Sequence, residues 1–371
     1  MSFAERLDRT RDRMAMLGVD VLLLSVGPDL PWLCGYEAMP LERLTMLVVP
    51  RDGDATLVVP ALEAARVVER PDVFSLTTWV ETEDPVAIVA GLAGRPAVAA
   101  VGDRTWARFL VELTGALPGT RWRRGTEVVG PLRAVKEPAE VEVLRRAGAA
   151  ADRVARQLQG GDIPLVGRTE VEVSADLGRR LLDEGHHRVN FAIVAAGANA
   201  ASPHHEPGAR VIEAGEGVLC DFGGTMAGPD GVGYCSDTTR CVWTGGGAPP
   251  GEVAEAYTVL HDAQRAASTA AVVGTACEAV DDAARRRITA GGWGEHFIHR
   301  TGHGIGIEEH EDPYIVAGNA EPLRAGHAFS IEPGIYVPGR FGFRLEDIVV
   351  AADAGPEPLN ESDRSLVVVD A

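Results

Sequence analysis

The sequence predicts an α+β protein built in two parts, and three observations predict it. Residues 1–130 alternate helical spacings with short apolar runs, the pattern of an α/β layer. Residues 130–138 then break the periodicity with two prolines and several charges. From 131 to 371 a long helix leads into runs of strand-like segments with helices grouped between them, which is α+β rather than a doubly wound sheet. A chain of 371 residues also exceeds what one small core supports.

The elements follow in order. Residues 4–17 place Leu7, Met14 and Leu17 on one helical face. Residues 20–25 (DVLLLS) read as a buried strand. Residues 44–49 and 55–59 read as two strands about the turn Arg51-Asp52-Gly53-Asp54, a hairpin signal. A helix over 61–69 and a strand over 97–101 complete the first part, which carries no constellation of chemical groups. The second part opens with a helix over 139–159, after Pro138. Further helices are predicted over 170–184, 251–273 and 278–290. Strands are predicted over 192–195, 217–222, 239–244, 328–331 and 347–350. No repeat of 20–50 residues stands out.

Bulk properties exclude several classes. The composition, 46% hydrophobic and 24% charged, is that of an ordinary globular protein. A net charge of −19 argues against nucleic acid and anionic membrane as partners. No apolar run approaches the roughly 20 residues that span a bilayer. The first seventeen residues are charged and amphipathic, without a signal-peptide core, so a cytoplasmic protein is expected. Cys34, Cys220, Cys235, Cys241 and Cys277 are odd in number, lack a C-x-x-C pair and sit in apolar text, consistent with buried reduced thiols. Strand alternation turns Cys220 and Cys235 away from the acids that follow them. Lys136 is the sole lysine.

Chemistry concentrates in five late residues: Asp221 in LCDFGG, Asp237 in GYCSDTTR, His303 in TGHGIG, Glu332 in SIEPGIY and Glu346 in FRLEDIV. Asp221 is a charge at the end of an apolar strand, and a buried carboxylate needs a partner. Asp237 lies beside a second strand, and a hairpin would bring the two acids to one face. Taken alone, that pair fits a salt bridge with Arg240 equally well. His303 is flanked by Gly302 and Gly304, which permit close backbone approach. The segment is neither H-E-x-x-H nor G-x-G-x-x-G. Glu332 follows an apolar strand directly. Alternation puts Arg344 and Glu346 on one face and Asp347 on the other. Four clustered carboxylates repel one another in a pocket, and two divalent cations remove that conflict. Four carboxylates with one imidazole form a hard donor set suited to Mn²⁺, with Co²⁺, Zn²⁺ or Fe²⁺ also admissible. The set points to a hydrolase.

With these motifs in this order, the chain resembles the pita-bread metallopeptidase family, whose proline-directed branch holds prolidase (Xaa-Pro dipeptidase) and aminopeptidase P, and which also holds methionine aminopeptidase. The resemblance covers about residues 133–350. Residues 1–130 resemble, more softly, the creatinase/prolidase N-terminal domain, which favours the proline-directed branch. It implies a pita-bread catalytic domain over 131–371 behind a smaller α/β domain. It implies that Asp221 binds one ion, that Asp237 and Glu346 bridge two, and that His303 and Glu332 complete the other shell. It implies substrate-handling roles for His310 and His204, with His205 adjacent to the latter. Two departures stand out. Asp221 and Asp237 lie further apart than the resemblance implies, the extra residues falling in the turn-rich stretch 226–231. Tyr314 follows Pro313, where many dedicated prolidases carry an arginine that captures a dipeptide's carboxylate.

The expected reaction is hydrolysis of the peptide bond before proline in Xaa-Pro dipeptides, with aminopeptidase P action on Xaa-Pro-Yaa or amidohydrolysis of a non-peptide as alternatives. Paired ions would activate water. Glu332 would take its proton and pass it to the leaving nitrogen, His310 would stabilise the oxyanion, and His204 would position the substrate. Arg344 would orient Asp237 or Glu346, and Tyr336 would line the pocket. The resemblance implies a homodimer.

Overall fold

The protein is described by a computed structural model, which defines residues 1–245 and 247–370. Its chain divides into two compact units, one formed by Met1–Arg133 with Pro229–Val232, the other by Ala134–Gly228 with Gly233–Ala371.

The first unit is a six-stranded mixed sheet in the order Ser75–Trp79, Thr56–Pro60, Met46–Pro50, Val21–Leu24, Val98–Val101, Arg121–Arg124. The three central neighbours run antiparallel and the outer pairings are parallel. Helices Pro85–Ala93 and Ala107–Ala116 press Val86, Val89, Phe109 and Leu113 into a core with Val21, Leu23, Met46, Val48 and Val58. The first helix, Phe3–Leu17, starts on a Ser2/Glu5 capping box and stops at Gly18, whose φ of 65° completes the left-handed cap.

Two expectations fail in this unit. The helix over 61–69 does not form; only a 3₁₀ turn, Ala64–Arg66, is present, with Leu62 and Val68 largely exposed. A segment this short has no apolar stripe to bury and cannot offset the cost of helix nucleation. Conversely, a helix spans Thr126–Ala134 straight through Pro131, which the sequence marks as a breaker. Proline cannot donate to the Glu127 carbonyl one turn back. Arg13 Nε donates to that oxygen instead, at 3.0 Å. Helix Pro85–Ala93 went unread although Asp84 caps it through the amides of Val86 and Ala87, with Pro85 in the first turn.

The second unit holds two sheets, each backed by a helix pair. One runs Val367–Val369, Thr238–Thr244, Gly217–Ala227, Arg188–Ala196, with Gly233–Cys235 also pairing to Gly217–Ala227. Helices Pro138–Gln159 and Glu170–Asp183 cover it, burying Val154, Leu158, Leu177 and Leu181 against Val194, Val218, Cys220 and Phe222. The other sheet runs Glu311–Ile315, Gly302–Gly304, Ala328–Ile331, Asp347–Ala352, Gly355–Pro358. Helices Gly251–Ala270 and Cys277–Ala290 pack on it through Leu260, Ala263, Val280 and Ala284 against Phe329, Ile331 and Val349. A ribbon of Gly334–Val337 and Phe341–Arg344 completes the unit. The predicted elements of this part are all present, several one to five residues longer or shorter than read.

His327 lies in this unit, 2% exposed, its Nδ1 accepting from the Arg324 amide at 3.3 Å. Burial, then the charges of Lys136 and Arg324, push its imidazole down to about 4. Between its ordinary value near 6.5 and that depressed value, the unfolded chain binds the extra proton, so folding stability falls as pH falls through this window. Replacing His327 with glutamine should flatten the slope. In denaturant titrations the wild type should lose on the order of 2 kcal/mol more than His327→Gln between pH 7 and pH 5; equal losses would remove His327 as the cause.

Candidate metal centre

Each sheet of the second unit contributes part of one buried cluster. Strand Gly217–Ala227 sets Asp221 opposite Thr239 on one side and Ile193 on the other. Asp237 sits in the short gap between Gly233–Cys235 and Thr238–Thr244. The Ser236 amide donates to the Gly224 carbonyl at 2.8 Å and fixes the path there. Gly223 and Gly224 leave no room for side chains: a Cβ on Gly223 would fall 2.2 Å from the Ser236 carbonyl.

The other sheet supplies His303, Glu332 and Glu346. A Cβ on Gly302 would stand 1.9 Å from the Ser330 carbonyl, and one on Gly304 2.2 Å from that of Asp312. The glycines on either side of His303 are thus a packing requirement of three closely spaced strands. The His303 amide donates to Ser330 Oγ at 3.0 Å, and its ring Nδ1 donates to the Gly304 carbonyl at 3.2 Å. That leaves Nε2 facing the acids, 3.1 Å from Glu332 Oε1 and 3.8 Å from Asp237 Oδ2. Glu332 ends strand Ala328–Ile331; its amide bonds the Thr301 carbonyl at 2.7 Å, and Ser330 Oγ donates to Oε1 at 3.1 Å. Glu346 Oε2 accepts from Thr239 Oγ1 at 2.7 Å.

Donor atoms of Asp237, His303 and Glu346 all lie within 4.8 Å of one another. Burial, then the charges of Glu346, Asp221 and Glu332, raise the Asp237 carboxyl well above its usual range. Glu346 is raised likewise by burial, then by Glu332 and Asp221. Asp221 is raised by burial against the opposing pull of Arg344. Glu332 differs: burial opposes its charge, but His303, His299 and Arg344 hold it down at about 2.

The chemistry of the donors fits a divalent cation. Asp221 Oδ1, Asp237 Oδ1 and Glu346 Oε1 are buried oxygens without a hydrogen-bond partner. Other buried acids of the unit are saturated. Asp347 accepts from Arg240 at 2.7 Å, from Gln264 at 2.8 Å and from Arg364. Glu170 accepts from the Ala196 and Gly208 amides, Asn199 and His205. A buried oxygen with no donor costs about 1–3 kcal/mol, more when charged; two of the three belong to Asp237 and Glu346, which meet His303, while Asp221 lies outside that closest group of three.

Around the cluster the structure corrects some assignments and adds residues. Arg344 does not bond Asp237 or Glu346. Its Nη2 donates to Asp221, its Nη1 to Tyr336 Oη at 2.9 Å and the Pro203 carbonyl at 3.2 Å, and its Nε to Thr239 Oγ1 at 3.0 Å. It reaches Glu346 only through Thr239. Arg240 pairs with Asp347, not Asp237. Tyr336 is 2% exposed and donates to His299 Nε2 at 3.0 Å, while His299 Nδ1 donates to the Arg300 carbonyl at 2.7 Å. His299 went unread in the sequence; its one signal is a second imidazole four residues before His303. The His310 ring lies 4.0 Å from that of His303, and burial, then the charges of His303 and Arg300, push it down to about 4, so it is neutral at pH 7. The paired histidines differ in their surroundings: His205 Nε2 donates to buried Glu170 at 2.8 Å, while the exposed His204 is close enough for its charge to act on His299 and His310. Cys220 is enclosed in the core, and Cys235 Sγ donates to the Ile307 carbonyl at 3.4 Å; neither faces the cluster.

The acids are separable by thermal unfolding. Added Mn²⁺ should raise the wild-type midpoint by on the order of 5 °C at a hundredfold excess over its Kd. Asp237→Asn should abolish the rise while leaving the metal-free protein no less stable, because a repelling charge is gone. Asp347→Asn should instead destabilise both forms by about 3–5 kcal/mol, leaving Arg240 buried without its partner. Indistinguishable behaviour of the two variants would argue against a metal role for Asp237.

Comparison with known proteins gives a consistent picture. Residues 142–353 match metallopeptidase family M24, and residues 6–135 match the creatinase/prolidase N-terminal domain. The chain is 42% identical over 371 residues to a probable dipeptidase PepE of Mycobacterium tuberculosis, covering 99% of this chain and 96% of that one. It is 34% identical to an Xaa-Pro dipeptidase of Lactobacillus helveticus, covering 98% of each. Among solved structures it is similar to dipeptidase PepE from Mycobacterium ulcerans, with a TM-score of 0.91 and 42% identity over 100% of this chain and 98% of that one. It is also similar to a recombinant prolidase from Thermococcus sibiricus, with a TM-score of 0.92 and 32% identity over the whole of both chains.

Proposed function

The chain belongs to metallopeptidase family M24, and from that premise we propose that it is an Xaa-Pro dipeptidase, cleaving the bond before proline in dipeptides. It is a metallopeptidase with a pita-bread catalytic unit behind a creatinase-type unit. The observation that carries the functional reading is the convergence of Asp237, Glu346 and His303, in a cluster where Asp221, Asp237 and Glu346 each keep a buried oxygen without a hydrogen-bond partner. The relatives named for Xaa-Pro dipeptide cleavage support the substrate class over aminopeptidase P action or hydrolysis of a non-peptide amide.

In this reading Asp221, Asp237, His303, Glu332 and Glu346 hold two divalent ions, with Mn²⁺ favoured by the oxygen-rich set. Once bound, such ions supply Lewis-acid activation of water and of the scissile carbonyl. Glu332, ionised at neutral pH, accepts the proton of the attacking water and hands it to the leaving nitrogen of proline. That nitrogen is tertiary in the substrate, so protonation is what lets it depart. Neutral His310 donates its ring N–H to the developing oxyanion. His204 positions the peptide from a loop that Glu170 ties down through His205 and two backbone amides. Arg344 and Tyr336 hold Asp221 and His299 in place. We place the enzyme in the cytoplasm as a homodimer; five free, buried cysteines accord with a reducing compartment. Among the described residues no helix is long and apolar enough to cross a membrane.

The test begins with chelation. Metal-free protein should cleave no Xaa-Pro dipeptide, and Mn²⁺ should restore cleavage. Glu332→Gln should lower kcat by roughly 10²–10⁴-fold. Xaa-Pro should be turned over faster than Xaa-Pro-Yaa. A preference for the tripeptide, or no metal-dependent cleavage of either, would defeat the assignment.

A further inference from the structure

We propose that Arg300 receives the C-terminal carboxylate of the substrate and thereby sets the preference for dipeptides; the inference rests on the dipeptidase reading above. A dipeptide carries its second charge on the far side of the scissile bond from its amine, and with two divalent ions offsetting four carboxylates the metal cluster has no net charge with which to hold it. A carboxylate therefore needs a separate cation close by, with donors not already occupied.

The cations around the cluster can be sorted by their partners. Arg344 is engaged by Asp221, Tyr336, Thr239 and Pro203. Arg240 is held by Asp347 and by the Glu346 and Ser362 carbonyls. Arg285 is held by Asp281 and by the Phe297 and His299 carbonyls. Lys136 pairs with Glu311. Arg300 is the exception. It is half-buried, and among the described residues its side chain has neither a carboxylate nor a carbonyl partner.

Its one contact explains how it stays poised. The guanidinium lies over the Tyr314 ring, 4.5 Å from the centroid. A contact of this kind with the ring takes up no carboxylate or carbonyl acceptor, so the guanidinium keeps N–H donors with which a carboxylate can pair through two bonds. The backbone anchors both partners: Tyr314 lies in strand Glu311–Ile315, and the Thr301 amide, next to Arg300 in the chain, donates to the Ile315 carbonyl at 3.0 Å. The location also suits the task. Arg300 lies three residues before His303 in sequence, its carbonyl anchors His299, and its charge is felt by His310. Tyr314 thus supports a cation supplied from the segment that leads into strand Gly302–Gly304.

The experiment uses the Mn²⁺-loaded protein and compares an Xaa-Pro dipeptide with the same Xaa-Pro amide, which lacks the charge. In the wild type kcat/KM should favour the acid. In Arg300→Ala the acid-to-amide ratio should fall on the order of ten- to a hundredfold, mainly through KM. Arg300→Lys, keeping charge but losing the fork, should recover part of it. A ratio unchanged by Arg300→Ala, or a loss shared equally by acid and amide, overturns the inference while leaving the dipeptidase reading intact. Calorimetry with L-proline and L-prolinamide needs no turnover, so it decides the matter even if the wild type cleaves no Xaa-Pro substrate. Tighter proline binding that vanishes in Arg300→Ala supports the role of Arg300, and equal binding of the two ligands by the wild type overturns it.

Discussion

Mutual repulsion among Asp221, Asp237, Glu332 and Glu346 is the constraint around which the second unit is organised. Buried carboxylates separate only if the backbone lets them, and here it does not. Asp221 is fixed by strand register against Thr239, and Glu346 is fixed by Thr239 from the other sheet. His303 is fixed by strands so close that its flanking residues have no room for a Cβ. The repulsion is thus carried by the fold, which resists relaxing it, and this is the condition under which a site binds cations tightly. The core clusters beneath each sheet provide the rigidity: helix pairs pack on both, and none of the residues in those clusters is charged.

The same physics separates acids that hold the protein together from acids that act. Neighbours in sequence illustrate it. Asp347 ends in a full set of donors from Arg240, Gln264 and Arg364, and neutralises a guanidinium with no exposed side-chain surface. Glu346, one residue earlier, keeps Oε1 bare. Burial alone does not distinguish them, since both are 1% exposed. Hydrogen-bond saturation does. An unsatisfied buried oxygen persists only where some other ligand supplies what the protein withholds.

Legibility in the sequence followed the same division. Residues whose chemistry conflicts with their local pattern were visible at once: an acid ending an apolar strand, as at Asp221 and Glu332, or an imidazole between glycines, as at His303. Residues whose role depends on three-dimensional partners were not. Thr239, Glu170 and His299 look ordinary along the chain, and only the packing of one sheet against the other or of a loop against a helix gives them their bonds. Arg344 was legible as a residue near the cluster, but alternation along one strand cannot say which acid on another strand it meets. In the first unit, the helix over 61–69 was overread because a few apolar residues mimic a stripe that nothing covers. The helix through Pro131 was missed because the rescuing donor, Arg13, lies at the far end of the unit's sequence.

Charge polarity then connects the cluster to what it can bind. Four carboxylates offset two divalent ions, so the loaded cluster keeps no net charge with which to draw a substrate's carboxylate. On the dipeptidase reading, a metal centre that seats the scissile bond, with a cation at fixed reach, measures the distance from that bond to the substrate's carboxylate. A tripeptide places its carboxylate one residue too far, and an amide offers none. The Arg300–Tyr314 contact would make that reach definite, because a guanidinium held over a ring has given up part of its conformational freedom before the ligand arrives. Length selection of this kind needs no steric wall, only a guanidinium that among the described residues has no carboxylate or carbonyl partner, in a neighbourhood where Arg344, Arg240, Arg285 and Lys136 are already engaged.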